Sequence, residues 1–121
     1  MLRFLLNEHL RGPLWSAILR HNVMGGLPID AERVGDPSDL PLGIVDATIL
    51  IWAEREGRIL LTEDVHTMPG HLRQHLLSGK HSPGILVSSI GFSIKELVSW
   101  LELVAHAGEP GDYLDTLIYL P

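Results

Sequence analysis

The chain has 121 residues, of which nine are Lys or Arg and fifteen are Asp or Glu, so its formal net charge is -6. Hydrophobic residues make up 45% of the chain and charged residues 20%, a composition that is typical of a globular protein and excludes a wholly disordered one. The absence of cysteine excludes disulfides, iron–sulfur clusters, thiolate zinc sites and cysteine nucleophiles. We predict a single domain that spans residues 1–121.

Short apolar runs alternate along the chain with stretches of helical spacing. We predict strands at residues 3–6, 29–34, 58–62, 84–88 and 116–120. We predict one helix that opens at Gly12-Pro13 and closes by Gly25-Gly26, and further helices at residues 46–56, 69–77 and 94–106, the last with a capping box of Ser93 and Glu96. This alternation predicts an α/β fold, a three-layer sandwich in which helices flank a mostly parallel central sheet.

No apolar run reaches the roughly 20 residues that a helix needs to cross a bilayer, and the start of the chain lacks the features of a signal peptide. The richest apolar stretch, residues 44–53, still contains Asp46. We therefore expect no membrane partner and a cytoplasmic location.

Polar and mostly acidic residues follow the predicted strands. They are Asn7 and Glu8 after the first strand, Asp46 at the start of the helix before the third strand, Thr62, Glu63 and Asp64 after the third strand, and Ser88 and Ser89 after the fourth. Because ligand sites in parallel sheets form outside the carboxyl ends of the strands, we expect these residues to converge on one edge of the sheet.

Carboxylates that converge repel each other, and a hard divalent cation such as Mg²⁺ or Mn²⁺ would neutralise them. Asp46 and Asp64 are the expected principal ligands, Glu8 a third or water-mediated one, and Asn7 an uncharged one that binds through its amide oxygen. Such an ion can support hydrolysis of a phosphodiester bond.

Each candidate also has a structural interpretation. Asp46 at a helix start serves equally well as an N-cap. Glu8 and Glu63 next to strand ends are more often solvated loop charges than ligands. Asp64, which follows the run Ile-Leu-Leu-Thr, is harder to explain in this way.

Three segments resemble the small PIN-like nucleases, relatives of the VapC-type toxins of bacterial toxin–antitoxin pairs. Residues 3–10 (Arg-Phe-Leu-Leu-Asn-Glu-His-Leu) resemble the opening strand of that family, which usually ends in Asp-Glu-Asn. Residues 46–64 resemble its middle, with an acidic helix start, an Ala-x-x-Glu-Gly-Arg turn and a strand that closes in Thr-x-Asp. Residues 83–88 (Pro-Gly-Ile-Leu-Val-Ser) and the ending Leu-Ile-Tyr-Leu-Pro are similar to its later strands.

The resemblance implies a Rossmann-like sheet and a metal-dependent ribonuclease. It also implies that the chain is a toxin with a cognate antitoxin encoded nearby, and we expect a homodimer as a further assembly. By motif, Asn7, Asp46 and Asp64 stand at the three acidic positions, and Thr62 and Ser88 would orient the ligands. The chain departs from the pattern at Asn7, which removes one charge and is expected to weaken metal binding. It departs again at His9, where the family usually has Asn, and after Asp64, where it reads Val-His-Thr-Met in place of Asp-Phe.

Residues 65–95 contain four histidines, one Arg and two Lys but no acidic residue. We expect Arg73 and Lys80 to hold the RNA strand beside the acidic pocket, although a chance run of neutral loop and helix explains the pattern equally well. His71 and His75, four residues apart on a predicted helix, form with His66 a weaker candidate for a zinc site.

Two other functions compete with the nuclease. A response-regulator receiver also uses acids after parallel strands, but the resemblance would require a Lys after the last strand, and no Lys follows Lys95. A PIN-like fold that has lost turnover would serve as a binding module for RNA or an antitoxin, and Asn7 favours that alternative.

Overall fold

A parallel sheet of five short strands runs through the computed structural model, which describes residues 1–10, 12–88 and 93–120. The strands are β1 (Phe4–Leu6), β2 (Ala31–Arg33), β3 (Ile59–Thr62), β4 (Ile85–Val87) and β5 (Leu117–Tyr119). Their spatial order is β2-β1-β3-β4-β5, and every neighbouring pair is parallel. The register places Phe4 opposite both Ala31 and Ile59. The five predicted strands are confirmed, each within two residues of its expected ends.

Helices connect the strands. They are α1 (Pro13–Val23), α2 (Asp46–Glu56), α3 (Met68–Leu77), α4 (Ile94–Ala107) and the short α5 (Pro110–Tyr113), and a 3₁₀ turn covers Glu8–Leu10. The four longer helices confirm the prediction. The 3₁₀ turn and α5 were not predicted, because three or four residues are too few to show a helical period of apolar positions.

Alternate residues of the central strands enter two separate cores. On one face Phe4, Leu6 and Leu61 pack with residues of α1 and α4. On the other face Leu5 and Leu60 pack with residues of α2 and α3. Helices therefore cover both faces of the sheet, as the three-layer α/β prediction requires, and the buried strands read as continuous apolar runs for this reason.

A glycine ends α2 and a serine cap begins α4, both at the predicted positions. Gly57 ends α2 in the left-handed region with φ +68°, a conformation that glycine adopts at little cost. Ser93 caps α4 by accepting a hydrogen bond from the Glu96 backbone N–H at 3.1 Å, and its own hydroxyl donates to the Glu96 carboxylate at 3.0 Å. The capping-box residues are therefore in contact, although this second bond comes from the hydroxyl rather than the backbone.

A buried arginine ties the amino ends of the strands together. The Arg58 side chain is 8% exposed and donates to the Phe4 carbonyl at 3.1 Å and to the Asp30 carboxylate at 2.9 Å. A second guanidinium nitrogen lies 3.5 Å from the Glu32 carboxylate. Arg58 was predicted as the first residue of β3, but the strand begins one residue later and the side chain serves as a clamp between β1 and β2.

Candidate functional site

The acidic pocket is a cavity of about 290 Å³ at the carboxyl edge of the sheet, beside the ends of β1 and β3. From β1 the chain continues to β2 on one side and β3 lies on the other, so this is the switch point at which doubly wound sheets bind ligands. Its lining residues are Asn7, Glu8, His9, Gly43, Ile44, Asp46, Ile49, Glu63 and Asp64. The structure therefore brings together all four residues that were predicted as metal ligands.

Asn7 is buried, and both ends of its amide group are engaged inside the protein. Its Nδ2 donates to the Thr62 hydroxyl at 2.9 Å, and its Oδ1 accepts from the Glu8 backbone N–H at 2.8 Å. The same Thr62 hydroxyl accepts from the Asp64 backbone N–H at 3.2 Å. Thr62 is fully buried and thus links the ends of β1 and β3 beneath the pocket.

Asp64 closes the turn that leads into α3. Its Oδ1 accepts from the backbone N–H groups of His66 at 3.0 Å and Thr67 at 2.9 Å, and its Oδ2 accepts from the Thr67 hydroxyl. These bonds, the Thr67 hydroxyl first among them, hold the pKa of the Asp64 carboxyl below its ordinary value. Asp64 is therefore ionised at neutral pH, and both of its oxygens already have donors.

Glu8 lies in the 3₁₀ turn after β1 and reaches across the pocket to the loop before α2. Its Oε1 accepts from the Gly43 backbone N–H at 2.6 Å. Gly43 has φ +80°, in the left-handed region that favours glycine. This bond fixes the loop that carries Ile44 against the pocket.

Asp46 is the first residue of α2, but it does not cap the helix. Val45 occupies the N-cap position without a side-chain cap bond, so the N-cap interpretation of Asp46 is wrong. The Asp46 carboxylate instead lies 3.2 Å from Nε2 of His71 on α3, and both side chains are partly exposed. His71 therefore holds Asp46 from a neighbouring helix, an arrangement that no local pattern could predict.

Glu63 also lines the acidic pocket, although it was not among the predicted metal ligands. The side chain is half-buried. Among the described residues, its Oε2 is the one buried side-chain oxygen or nitrogen that has no hydrogen-bond partner. A solvated loop charge was the expected state of this side chain, and burial of the oxygen contradicts that expectation. The only signal in the sequence is its position between Thr62 and Asp64.

The donor set of the pocket suits a hydrated Mg²⁺ or Mn²⁺. Four carboxylates and one amide oxygen line it, and hard cations prefer such oxygen ligands. Among residues 1–10, 12–88 and 93–120, no three Asp, Glu or His side chains form a ready-made group that could hold a metal. Mg²⁺ usually keeps several waters and binds through one or two carboxylates together with substrate phosphates, so the residues fit that mode and not a closed protein cage.

The two predicted RNA contacts lie outside the acidic pocket. Lys80 lines a separate groove of about 110 Å³ between α2 and α3, together with His71, Gln74 and Ser78. Arg73 is exposed on α3 and lines neither cavity within the described part of the chain. His71 contacts Asp46 and also lines the groove, so it connects the groove to the acidic pocket.

Of the two serines that were predicted to follow β4 at this edge, neither is shown to line the acidic pocket. Ser88 is buried after β4, and its backbone N–H donates to the Thr62 carbonyl at 2.9 Å, but it is not among the described residues that line the pocket. Ser89 lies outside the described residues.

The histidines of α3 do not converge on one another. His75 is buried, and its Nε2 lies 2.8 Å from the Glu54 carboxylate and 2.8 Å from the His81 carbonyl. His71 pairs with Asp46, eight residues before Glu54 on α2. The two histidines thus bind two acids on the facing helix, and the zinc hypothesis gains no support from the described residues.

None of the helices in the described ranges is long and apolar enough to span a membrane. A scan against protein-family models, a search of curated proteins and a search of solved structures found no match to this chain. The chain is therefore characterised by its own geometry: a parallel α/β sandwich with an acidic pocket at the switch point of its sheet.

Proposed function

We propose that the chain is a PIN-like, metal-dependent ribonuclease that hydrolyses phosphodiester bonds at the acidic pocket. The observation that carries this proposal is the convergence of four carboxylates on one cavity at the carboxyl edge of a parallel sheet. The motif resemblance of residues 46–64 supports the same activity. The expected setting is the cytoplasm, with RNA as substrate.

In this proposal each of the four predicted metal ligands has a defined task. Asp46 and Asp64 bind Mg²⁺ or Mn²⁺, and Glu8 and Asn7 assist through their side-chain oxygens. When bound, the ion neutralises phosphate charge and makes a water molecule more acidic. Thr62 holds Asn7 and the backbone of Asp64, so it keeps the ends of β1 and β3 at a constant separation.

The groove between α2 and α3 is the proposed path of the RNA strand away from the pocket. His71 lies between the two cavities, and Lys80 lies farther along the groove. Arg73 would contact a phosphate on the exposed side of α3. Charge reversal of both basic residues is expected to lower the slope of log affinity against log salt, by roughly 0.7 for each contact with single-stranded RNA. An unchanged slope would remove these two residues from the proposal.

Cleavage of labelled structured and single-stranded RNAs with Mn²⁺, Mg²⁺ or a chelator tests the activity. We expect cleavage with metal and none with chelator. We expect the cleavage rate to fall by about 10²-fold or more in Asp46→Asn, because the Asp46 carboxylate is a proposed ligand of the ion. Asp112→Asn is the matched control, since Asp112 is an exposed acid in α5. Cleavage that survives the chelator, or that is equal in both variants, would contradict the proposal.

A binding module that has lost turnover is the second candidate function. Two observations favour it: the Asn7 amide is neutral with both ends engaged inside the protein, and the described residues form no ready-made metal group. Its partners would be RNA, a cognate antitoxin or a second copy of the chain. An inert native protein that binds RNA in the presence of chelator, with cleavage appearing in Asn7→Asp, would establish this candidate over the nuclease.

A further inference from the structure

Two cavities lie side by side on the face of the sandwich that α1 and α4 cover. Their volumes are about 590 and 480 Å³, and Ser99 of α4 lines both. Four exposed apolar side chains stand at their walls: Met24, which is 79% exposed, Leu27, Ile94 and Leu103. We call these five residues, with Lys95 and Glu102 between them, the α1–α4 face. An exposed apolar patch with polar residues around it is typical of an interaction surface.

Two opposite charges on α4 border this patch. Lys95 is exposed at the wall of the larger cavity and forms no ion pair within residues 1–10, 12–88 and 93–120. Glu102 lines the smaller cavity, and its Oε2 lies 2.7 Å from Nε2 of His21 and accepts from the Leu27 backbone N–H at 3.1 Å. Its Oε1 has no hydrogen-bond partner in the described part of the chain. Both charges can therefore accept a partner from outside.

The spacing of the two charges makes the face complementary to itself. Lys95 and Glu102 are seven residues apart, so they lie on the same side of α4 at about 10 Å along its axis. Ser99, the small residue shared by both cavities, lies next to the midpoint between them. When two copies of α4 pack antiparallel about a two-fold axis near Ser99, Lys95 of each copy meets Glu102 of the other, and two ion pairs form.

This mixture of charges selects a second copy over a partner of one sign. An acidic partner that pairs with Lys95 would also meet Glu102 as a like charge, and a basic partner would meet Lys95 in the same way. A second copy in the antiparallel arrangement meets neither conflict. It also covers the exposed side chains of Met24 and Leu103 with apolar surface of the same kind.

We propose that the α1–α4 face is the interface of a two-fold symmetric homodimer, in which Lys95 of each copy pairs with Glu102 of the other. This inference goes beyond the proposed ribonuclease and does not depend on it. The α1–α4 face and the acidic pocket share no lining residue within the described ranges.

Sedimentation of the native protein and its variants over a range of concentrations tests the interface. We expect Lys95→Glu and Glu102→Lys each to raise the dimer Kd at least about tenfold, because each creates two contacts between like charges. An equimolar mixture of the two variants should dimerise about as well as the native protein. In the mixed dimer one contact keeps its native charges and the other has them exchanged.

Two further variants complete the test. Leu103→Gln changes no charge and should also weaken the dimer, and it gives a second measurement should Glu102→Lys fail to fold once its bond to Leu27 is lost. Glu109→Lys inverts one exposed charge before α5 and should dimerise as the native protein does. Circular dichroism of each variant at the same concentrations shows whether it is folded.

Each outcome decides the inference separately from the proposed function. A native protein that stays monomeric at the highest concentration would overturn the homodimer and leave the α1–α4 face to a partner other than this chain. A dimer with the same Kd in Lys95→Glu, Leu103→Gln and Glu109→Lys would place the interface elsewhere. Weak dimers that the mixture does not restore would overturn the antiparallel pairing. Dimerisation that depends on Lys95 in a protein without RNA cleavage would support this inference and overturn the ribonuclease, and cleavage by a monomer would do the reverse.

Discussion

Acidic side chains have different partners at the two edges of the sheet. At the amino edge, three acids have a basic partner: Asp30 pairs with Arg58, Glu54 with His75, and Asp115 with His81 at 2.8 Å. At the carboxyl edge, Glu8, Asp46, Glu63 and Asp64 line one cavity. Asp46 pairs there with His71 at 3.2 Å, whereas Glu8 and Asp64 accept hydrogen bonds from backbone N–H groups.

This difference shows how one fold can use the same residue type for two purposes. The pairs at the amino edge connect β-strands and helices, and Arg58 neutralises the charge of Asp30. Glu8, Asp46, Glu63 and Asp64 instead place their negative charges around one cavity with low-dielectric walls, which raises the local concentration of cations. The four acids of the acidic pocket are therefore better suited to an external ligand than the paired acids of the amino edge are.

The largest expected effect comes from breaking the amino edge at Arg58. Arg58→Met keeps an apolar stem but leaves the Asp30 carboxylate and the Phe4 carbonyl without their donor. We expect the free energy of unfolding to fall by about 2–4 kcal/mol, as measured by urea denaturation, because Arg58 is buried while Asp30 is partly exposed. Arg73→Met, at an exposed position, should change it by less than about 0.5 kcal/mol. If both variants changed the free energy of unfolding equally, the pairing of Asp30 with Arg58 would contribute little to stability.

A smaller effect tests Asp64, whose two carboxylate oxygens both accept hydrogen bonds from its own turn. Its pKa is lowered, so the stability that it contributes is present above the ordinary value of 3.8 and is lost as pH falls through the folded-state pKa. Thr67→Ala removes the hydroxyl that contributes most to this shift. We expect the melting temperatures of native protein and Thr67→Ala to differ most above pH 4 and to approach each other at lower pH.

Ser78→Ala is the matched control for that measurement. The Ser78 hydroxyl donates to the Gln74 carbonyl at 2.7 Å, which does not titrate. Its effect on melting temperature should be constant over the same pH range. A Thr67→Ala difference that is equally constant would show that Asp64 does not gain stability from its turn.

The smallest effect is expected at the exposed His81–Asp115 pair of the amino edge. Asp115 raises the pKa of His81 through a hydrogen bond and through its charge. The stability from this pair is therefore full below pH 6.5 and is lost as pH rises through the raised pKa. The difference in melting temperature between native protein and His81→Ala should decline over that range.

Asp115→Asn provides the comparison for His81. Asp115 has φ +58°, which Asn tolerates, and an Asn oxygen can still accept from the Ser82 backbone N–H. In this background the His81→Ala effect should no longer depend on pH. If the His81→Ala effect on melting temperature still depended on pH in this background, another partner of His81 would be responsible for it.

Much of this molecule could be predicted from local patterns. Five apolar runs became the strands, and Gly12-Pro13, Gly57 and Ser93 mark helix ends because their backbone or capping preferences act within a few residues. The convergence of Asn7, Glu8, Asp46 and Asp64 followed from one general rule, that parallel strands present their carboxyl ends at the same edge.

Tertiary structure alone decided which side chains became partners. The strand order, the pairing of His71 with Asp46 and the clamp of Arg58 across β1 and β2 all join residues that are distant in the chain. The state of Glu63 is the clearest case, because its neighbours Thr62 and Asp64 have bonds within the turn while its own Oε2 is buried without one. Sequence patterns encode periodicity and capping, which are local, whereas burial and partner choice depend on how all the layers pack together.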